Sequence, residues 1–163
     1  MRSRKVVALD SRGHGRSTRS KQPFSYDLMA SDVLAMMDHL KLDKVSVVGW
    51  SDGAIIGLIL AMQHPERINK LFAFGANYNT AGLKEGFKND PTIGLAFGIV
   101  TEDYQKLSPT PGELENFIKD ISVMWSTQPD FKAEQLAKIT VPTVISDGQY
   151  EEAIPVLIVT GSA

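Results

Sequence analysis

Residues 45–54 read Val-Ser-Val-Val-Gly-Trp-Ser-Asp-Gly-Ala, and this stretch decides the fold. One apolar run enters its Gly-x-Ser-x-Gly pattern and a second leaves it at Ala54, which predicts a buried strand followed by a buried helix. Between the two, Ser51 is expected on a sharp turn that lifts its hydroxyl out of the sheet, since small neighbours such as Gly49 and Gly53 avoid a clash. A glycine-rich turn with an incidental serine is the alternative interpretation.

The composition is that of one globular domain. The chain has 163 residues, 43% of them hydrophobic, which suffices for one core and is short for two. The formal net charge of -2 argues against a nucleic-acid partner, although basic residues cluster in the first 21 positions. The absence of cysteine excludes disulfides, thiolate metal sites and a cysteine nucleophile. No apolar run has the length of a signal-peptide core or a membrane span, so the sequence predicts a soluble cytoplasmic protein without a membrane partner.

Strands and helices alternate along the chain. Five apolar runs have the length of strands and lie at residues 5–10, 44–48, 69–74, 143–146 and 155–159. The apolar spacing from Tyr26 to Leu40 is that of an amphipathic helix, and residues 52–63 are apolar on nearly every side, as in a buried helix. Because the crossovers have helical length, the alternation predicts an α/β fold with a mostly parallel sheet of four or five strands flanked by helices.

Residues 77–130 have a helical pattern that glycine and proline interrupt. Thr110 followed three residues later by Glu113 is the signature of a capping box at a helix start. The apolar face of the helix that follows is formed by Leu114, Phe117, Ile118, Ile121 and Trp125. We therefore expect a core made of residues 1–76 and 131–163, with residues 77–130 as a helical cap over the end of the sheet.

Three motifs in this order resemble the α/β-hydrolase superfamily. Residues 10–17, Asp-Ser-Arg-Gly-His-Gly-Arg-Ser, are similar to the loop after that family's fourth strand. Residues 49–53 resemble the nucleophile elbow after its fifth strand, and residues 139–145 resemble its seventh strand. Within the superfamily, the elbow followed by Gly-Ala-Asn at 75–77 is most similar to the valacyclovir hydrolase-like (biphenyl hydrolase-like) branch. The resemblance implies a partial α/β-hydrolase fold that needs no cofactor and no metal.

The resemblance also implies acyl transfer on small carboxylic esters or amides. In this family a serine attacks the carbonyl carbon, a histidine takes its proton, and a carboxylate orients the histidine. Ser51 would be the nucleophile, and the backbone N–H of Asp52 would be one donor of the oxyanion hole. The acid is expected after the seventh strand at Glu151, with Asp147 and Glu152 as rivals, and each of the three has the alternative of being a solvated loop carboxylate.

Two residues beside the nucleophile are expected to contact the substrate, Asp52 and Trp50. In the resembling branch an aspartate at the position of Asp52 is associated with recognition of a substrate amino group, which a carboxylate can pair with. The alternative is that Asp52 is simply a helix-start aspartate favoured by the helix dipole. The residues leave these two interpretations equally weighted.

The catalytic histidine of the family follows its eighth strand, but no histidine follows His64 in this sequence. His14, His39 and His64 each have a structural explanation. The family's first three strands, with the loop that supplies the second oxyanion donor, also lack counterparts, so the resemblance implies a truncated member with reduced activity. The run at 5–10 would then pair with that at 44–48 or leave unpaired strand edges that favour self-association. The competing function is a catalytically inactive fragment that serves as a binding or interaction module.

Overall fold

A parallel sheet lies at the centre of the computed structural model, which describes residues 4–150 and 153. Its strands are β1 (Val45–Trp50), β2 (Ile68–Phe74) and β3 (Thr143–Ser146), in the spatial order β1-β2-β3. Both neighbouring pairs are parallel, as the alternation of strands and helices predicts. The predicted strand at 155–159 lies outside the described residues, as do Glu151 and Glu152.

Helices connect the strands. The α-helices are α1 (Tyr26–His39), α2 (Asp52–Gln63), α3 (Pro91–Leu107), α4 (Leu114–Thr127) and α5 (Ala133–Leu136), and 3-10 turns lie at Pro65–Arg67, Thr80–Gly82, Phe87–Asn89 and Pro111–Glu113. Helix α2 is the crossover from β1 to β2, and all of its residues from Ala54 to Ala61 are buried, which confirms the expectation of a buried helix. Within the described residues no helix is both long and apolar enough to cross a membrane.

The two faces of the sheet differ in how they are covered. Side chains alternate between faces along a strand, so Val47 and Leu71 pack towards α2, and Leu71 is only 2% exposed. On the opposite face Val48, Phe72 and Val144 lie in register across the three strands and are 80%, 40% and 54% exposed. The hydrophobic core therefore lies on the α2 side.

The predicted strand at residues 5–10 is wrong. This segment makes no sheet ladder, and Val6 is 86% exposed. An apolar run becomes a strand only when a neighbour accepts and donates its backbone hydrogen bonds, and no described strand lies beside this one. Consequently β1 has β2 as its only partner in the described part of the chain, where three of the five predicted strands form.

The segment between residues 77 and 130 packs on the core through α4. Phe117, Ile121 and Met124 of α4 are buried in the same cluster as residues of α1 and α2. The predicted capping box is wrong, because a 3-10 turn occupies residues 111–113, α4 begins only at Leu114, and the Thr110 side chain makes no cap hydrogen bond. Ile118, predicted on the apolar face, is 42% exposed. The division into a core and a cap stays a prediction.

Candidate active site

Ser51 lies on the sharp turn between β1 and α2. Its φ of 52° and ψ of -120° are in a region that residues with a side chain rarely adopt, at a strain of roughly 1–3 kcal/mol. Hydrogen bonds hold the turn in place: the Ser51 N–H donates to the Phe74 carbonyl at 2.9 Å, and the Ser51 carbonyl accepts from the N–H groups of Ala54 and Ile55 at 2.9 and 3.1 Å. The residue is exposed, so the fold presents a serine hydroxyl at the carboxyl end of β1.

The two glycines of the motif have different roles. A Cβ placed on Gly49 would lie 2.2 Å from the Gly53 carbonyl oxygen and 2.6 Å from the Ala54 nitrogen, both backbone atoms of α2. Only glycine therefore lets β1 and the first turn of α2 approach so closely. A Cβ on Gly53, in contrast, would meet nothing within 4 Å. The steric expectation from the sequence holds for Gly49 but not for Gly53.

The backbone N–H of Asp52 is available to an anion. Asp52 is the first residue of α2, and the N–H groups of a first helical turn have no acceptor within their own helix. The positive end of the helix dipole adds to their preference for negative charge. This arrangement fits an oxyanion donor next to Ser51.

The Asp52 side chain connects three helices. Its Oδ1 accepts a hydrogen bond from the Tyr26 hydroxyl of α1 at 2.7 Å, and its Oδ2 accepts one from the Trp125 indole N–H of α4 at 2.9 Å. Tyr26 is 3% exposed, and its own N–H donates to the Gln128 side-chain oxygen at 3.1 Å. Burial raises the pKa of Tyr26 above its ordinary value, and the charge of Asp52 and its hydrogen bond raise it further. Tyr26 is therefore a neutral donor at physiological pH.

Two tryptophans lie next to the residues of the turn. Trp50, the residue before Ser51, is 71% exposed, and its indole lies close to Gly75, where an added Cβ would be 3.5 Å from the Trp50 ring. Trp125 packs edge to face with Phe97 of α3, with ring centroids 6.0 Å apart. Trp50 thus adjoins Ser51 in the chain, and Trp125 is tied by its hydrogen bond to Asp52, the residue after it.

The carboxyl ends of all three strands meet at one edge of the sheet. The Ser51 N–H bonds to the end of β2, and the Gly75 N–H donates to the Ser146 carbonyl of β3 at 3.0 Å. Asp147 follows β3 directly, with the Gly148 N–H donating to its Oδ1 at 2.8 Å. Asp147 thus lies on the same sheet edge as Ser51, whereas the first-choice acid, Glu151, and its rival Glu152 lie outside the described residues.

Residues 2–107 match the sequence model of a family described as the alpha/beta hydrolase fold. This chain belongs to the alpha/beta hydrolase fold family. The match covers the strand, the elbow and the helix that the structure places around Ser51. The expected fold class is therefore confirmed, with a parallel sheet flanked by helices.

Individual relatives support the same assignment. Human serine hydrolase BPHL is 44% identical over 75 residues, which are 44% of this chain and 26% of BPHL. A putative carbamate hydrolase, RutD of Caulobacter segnis, is 48% identical over 68 residues, which are 40% of this chain and 26% of that protein. The structure of a meta-cleavage product hydrolase from Pseudomonas fluorescens IP01 superposes with a TM-score of 0.68 at 19% identity, covering 89% of this chain and 61% of the other. The similarity to BPHL confirms the predicted resemblance to the biphenyl hydrolase-like branch, and the matched region spans about a quarter of the length of these curated relatives.

None of the three histidines reaches the elbow of this hydrolase fold in the described residues. His14 Nδ1 lies 3.0 Å from the Arg12 carbonyl oxygen, and its ring packs on Phe117 at 4.9 Å between centroids. His64 follows α2 at the end opposite to Ser51, about 18 Å away by helix length, and His39 is the last residue of α1. No described side chain makes a hydrogen bond to the Ser51 hydroxyl, and the described residues hold no cluster of metal-binding groups.

Sequence reasoning missed Tyr26 and Trp125. They lie 26 and 73 residues from Asp52 along the chain, and no local pattern connects positions so far apart. Tyr26 is distinguished in the sequence only by its place after Ser25, whose side chain caps α1 by accepting from the Leu28 N–H.

Proposed function

We propose that this protein is a serine hydrolase of small carboxylic esters or amides, with Ser51 as the nucleophile. The strained, exposed turn at Ser51, which sits at the carboxyl edge of a parallel sheet and opens a helix, supports the proposal most directly. In the reaction, Ser51 Oγ forms a bond to the carbonyl carbon, the alcohol or amine leaves, and water later hydrolyses the acyl group from the serine.

The residues next to Ser51 have proposed roles. The Asp52 N–H stabilises the negative charge that develops on the carbonyl oxygen, and removal of such a donor typically lowers turnover about 10²- to 10³-fold. Trp50 and the Asp52 side chain contact the substrate. Each Asp52 oxygen accepts one hydrogen bond in the structure and retains a lone pair, so pairing with a substrate ammonium group is compatible with the bonds to Tyr26 and Trp125. The acid is Glu151, with Asp147 and Glu152 as rivals.

No histidine lies next to Ser51 in residues 4–150, and this lowers the expected rate of ester or amide hydrolysis. No described side chain accepts a hydrogen bond from the Ser51 hydroxyl, and in related triads the loss of the base leaves a remnant of about 10³- to 10⁴-fold over water. We therefore expect slow turnover by the chain as it stands. A cytoplasmic location and the lack of a nucleic-acid partner stay predictions.

Labelling with a fluorophosphonate probe tests the assignment of Ser51. The serine oxygen attacks phosphorus, fluoride leaves, and the product is a stable ester that needs no further turnover. Labelling of the wild type and its loss in Ser51→Ala support the proposal. Ser46→Ala is the matched control, because Ser46 is an exposed serine of β1, the strand that leads to Ser51, and its removal should leave labelling intact. Equal labelling of Ser51→Ala and wild type would remove Ser51 from the role.

The second candidate is a catalytically inactive binding or interaction module. It is favoured by the unpaired outer edge of β1 among the described strands and by the exposed row of Val48, Phe72 and Val144. Sedimentation as a function of concentration tests it: self-association without labelling of Ser51 favours the module, and a monomer that labels and hydrolyses a small ester argues against it.

A further inference from the structure

A single carboxylate joins three helices one residue away from Ser51. Asp52 opens α2, Tyr26 opens α1, and Trp125 lies in the last turn of α4. The two donors bond to different oxygens of Asp52, so neither can replace the other. The bond from the phenol measures 2.7 Å and the bond from the indole 2.9 Å, both of ordinary length, and a carboxylate acceptor makes such bonds stronger than a neutral acceptor would.

Both partners of the carboxylate are neutral. Among the described residues no lysine or arginine forms an ion pair with Asp52, although the same structure pairs Arg12 with Asp32 and Arg19 with Asp120. A cation at this place would neutralise the carboxylate, whereas a phenol and an indole only fix its orientation. The two hydrogen bonds from Tyr26 and Trp125 to Asp52, called the bridge from here on, therefore orient the carboxylate without neutralising its negative charge.

Trp125 connects the Asp52 carboxylate to a second aromatic side chain, Phe97. Its ring packs on Phe97 of α3, so the indole links the carboxylate to an aromatic pair contributed by the segment 77–130. The elbow itself has separate support, because the bond from the Ser51 N–H to the Phe74 carbonyl belongs to the backbone. Loss of the bridge should then displace the aromatic pair and leave the serine in position.

We propose that Tyr26 and Trp125 are positioning residues that hold the end of α4 beside Ser51 through the Asp52 carboxylate. The Trp125–Phe97 pair then forms an apolar wall of the site. This wall sets the affinity of the site for the apolar part of the substrate. This inference rests on the proposed function, since a wall is of use only next to a reacting serine. Asp52 thereby has two hydrogen-bond partners, Tyr26 and Trp125, that the sequence does not reveal.

The indole signals of the protein test the bridge without any activity. The chain has two tryptophans, so a ¹⁵N spectrum contains two indole signals, and Trp50→Phe identifies that of Trp125. An asparagine offers one acceptor oxygen where Asp52 offers two, so Asp52→Asn should shift the Trp125 signal and accelerate its exchange with water at least tenfold. Asp120→Asn is the matched control, because it breaks the ion pair that joins α4 to Arg19 at a distance from Ser51, and it should leave the signal unchanged.

Labelling kinetics test the positioning role. Trp125→Phe and Tyr26→Phe should raise the half-saturating concentration of an alkyl fluorophosphonate at least fivefold, while the maximal labelling rate stays within twofold. Asp120→Asn should change neither quantity. A purely structural role would lower the labelled fraction in proportion to unfolded protein and leave the half-saturating concentration constant, and that result would overturn the inference.

The two proposals fail in different ways. Absence of wild-type labelling, or labelling that persists in Ser51→Ala, contradicts the proposed function and the positioning role together. Normal labelling at Ser51 that is insensitive to Trp125→Phe contradicts the positioning role alone. An unchanged Trp125 signal in Asp52→Asn contradicts the bridge itself, whatever the labelling shows.

Discussion

The two faces of the sheet carry similar side chains in very different surroundings. Val47 and Leu71 face α2 and belong to the core, whereas Val48 and Phe72, each one residue further along the same strands, lie on the uncovered face. The covered face is also the one on which the elbow is built, because α2 comes close enough to β1 to touch Gly49. The packing that forms the core therefore also produces the sharp turn at Ser51, and this link can be broken by substitution.

The largest effect is expected from Gly49→Ala. The added methyl group would lie 2.2 Å from a backbone oxygen of α2, which has no flexible side chain to move aside. We expect a loss of more than about 4 kcal/mol in the free energy of unfolding, measured with urea, together with loss of Ser51 labelling. Gly53→Ala is the matched control, and it should change stability by about 1 kcal/mol or less, because its site is open and helical. Similar losses in the two variants would contradict the close approach.

A smaller contrast is expected between neighbouring residues of β2. Leu71→Ala empties a fully covered site and should destabilise the protein by about 2–5 kcal/mol. Phe72→Ala removes a larger side chain from the uncovered face, yet it should cost less than half as much, because that ring is already 40% exposed to water. Urea unfolding of both variants measures the difference. The reverse order would show that the second face is covered in solution.

Tyr26→Phe is expected to change the free energy of unfolding least at neutral pH. In alkali it should alter how that free energy depends on pH. The folded protein keeps the Tyr26 proton to a higher pH than the unfolded chain, whose tyrosine ionises near pH 10, so this contribution to stability is complete below about pH 10 and falls above it. The expected slope is about 1.4 kcal/mol per pH unit. Urea unfolding of Tyr26→Phe between pH 9 and 11.5 should lack this part of the decline. Tyr150→Phe, at an 83% exposed position, should retain it, and equal slopes in both variants would argue against the raised pKa.

Local patterns in the sequence predicted most elements of the fold. Helix α2 and strand β3 match their predicted bounds, because apolar periodicity and turn residues are properties of neighbouring positions. The run at 5–10 has the same apolar character but forms no strand, since a strand also depends on a partner elsewhere in the chain. For the same reason Ser51 could be nominated from its motif, whereas the bonds from Tyr26 and Trp125 to Asp52 could not be found before the fold was known.

The most direct test of the account is to locate the fluorophosphonate adduct by mass spectrometry. Trypsin releases residues 45–67 as one peptide, which contains two serines, Ser46 and Ser51. We expect fragment ions to place the added mass on Ser51 and to leave Ser46 unmodified. An adduct on Ser46, or on a peptide outside residues 45–67, would contradict the claim that the strained turn presents the nucleophile.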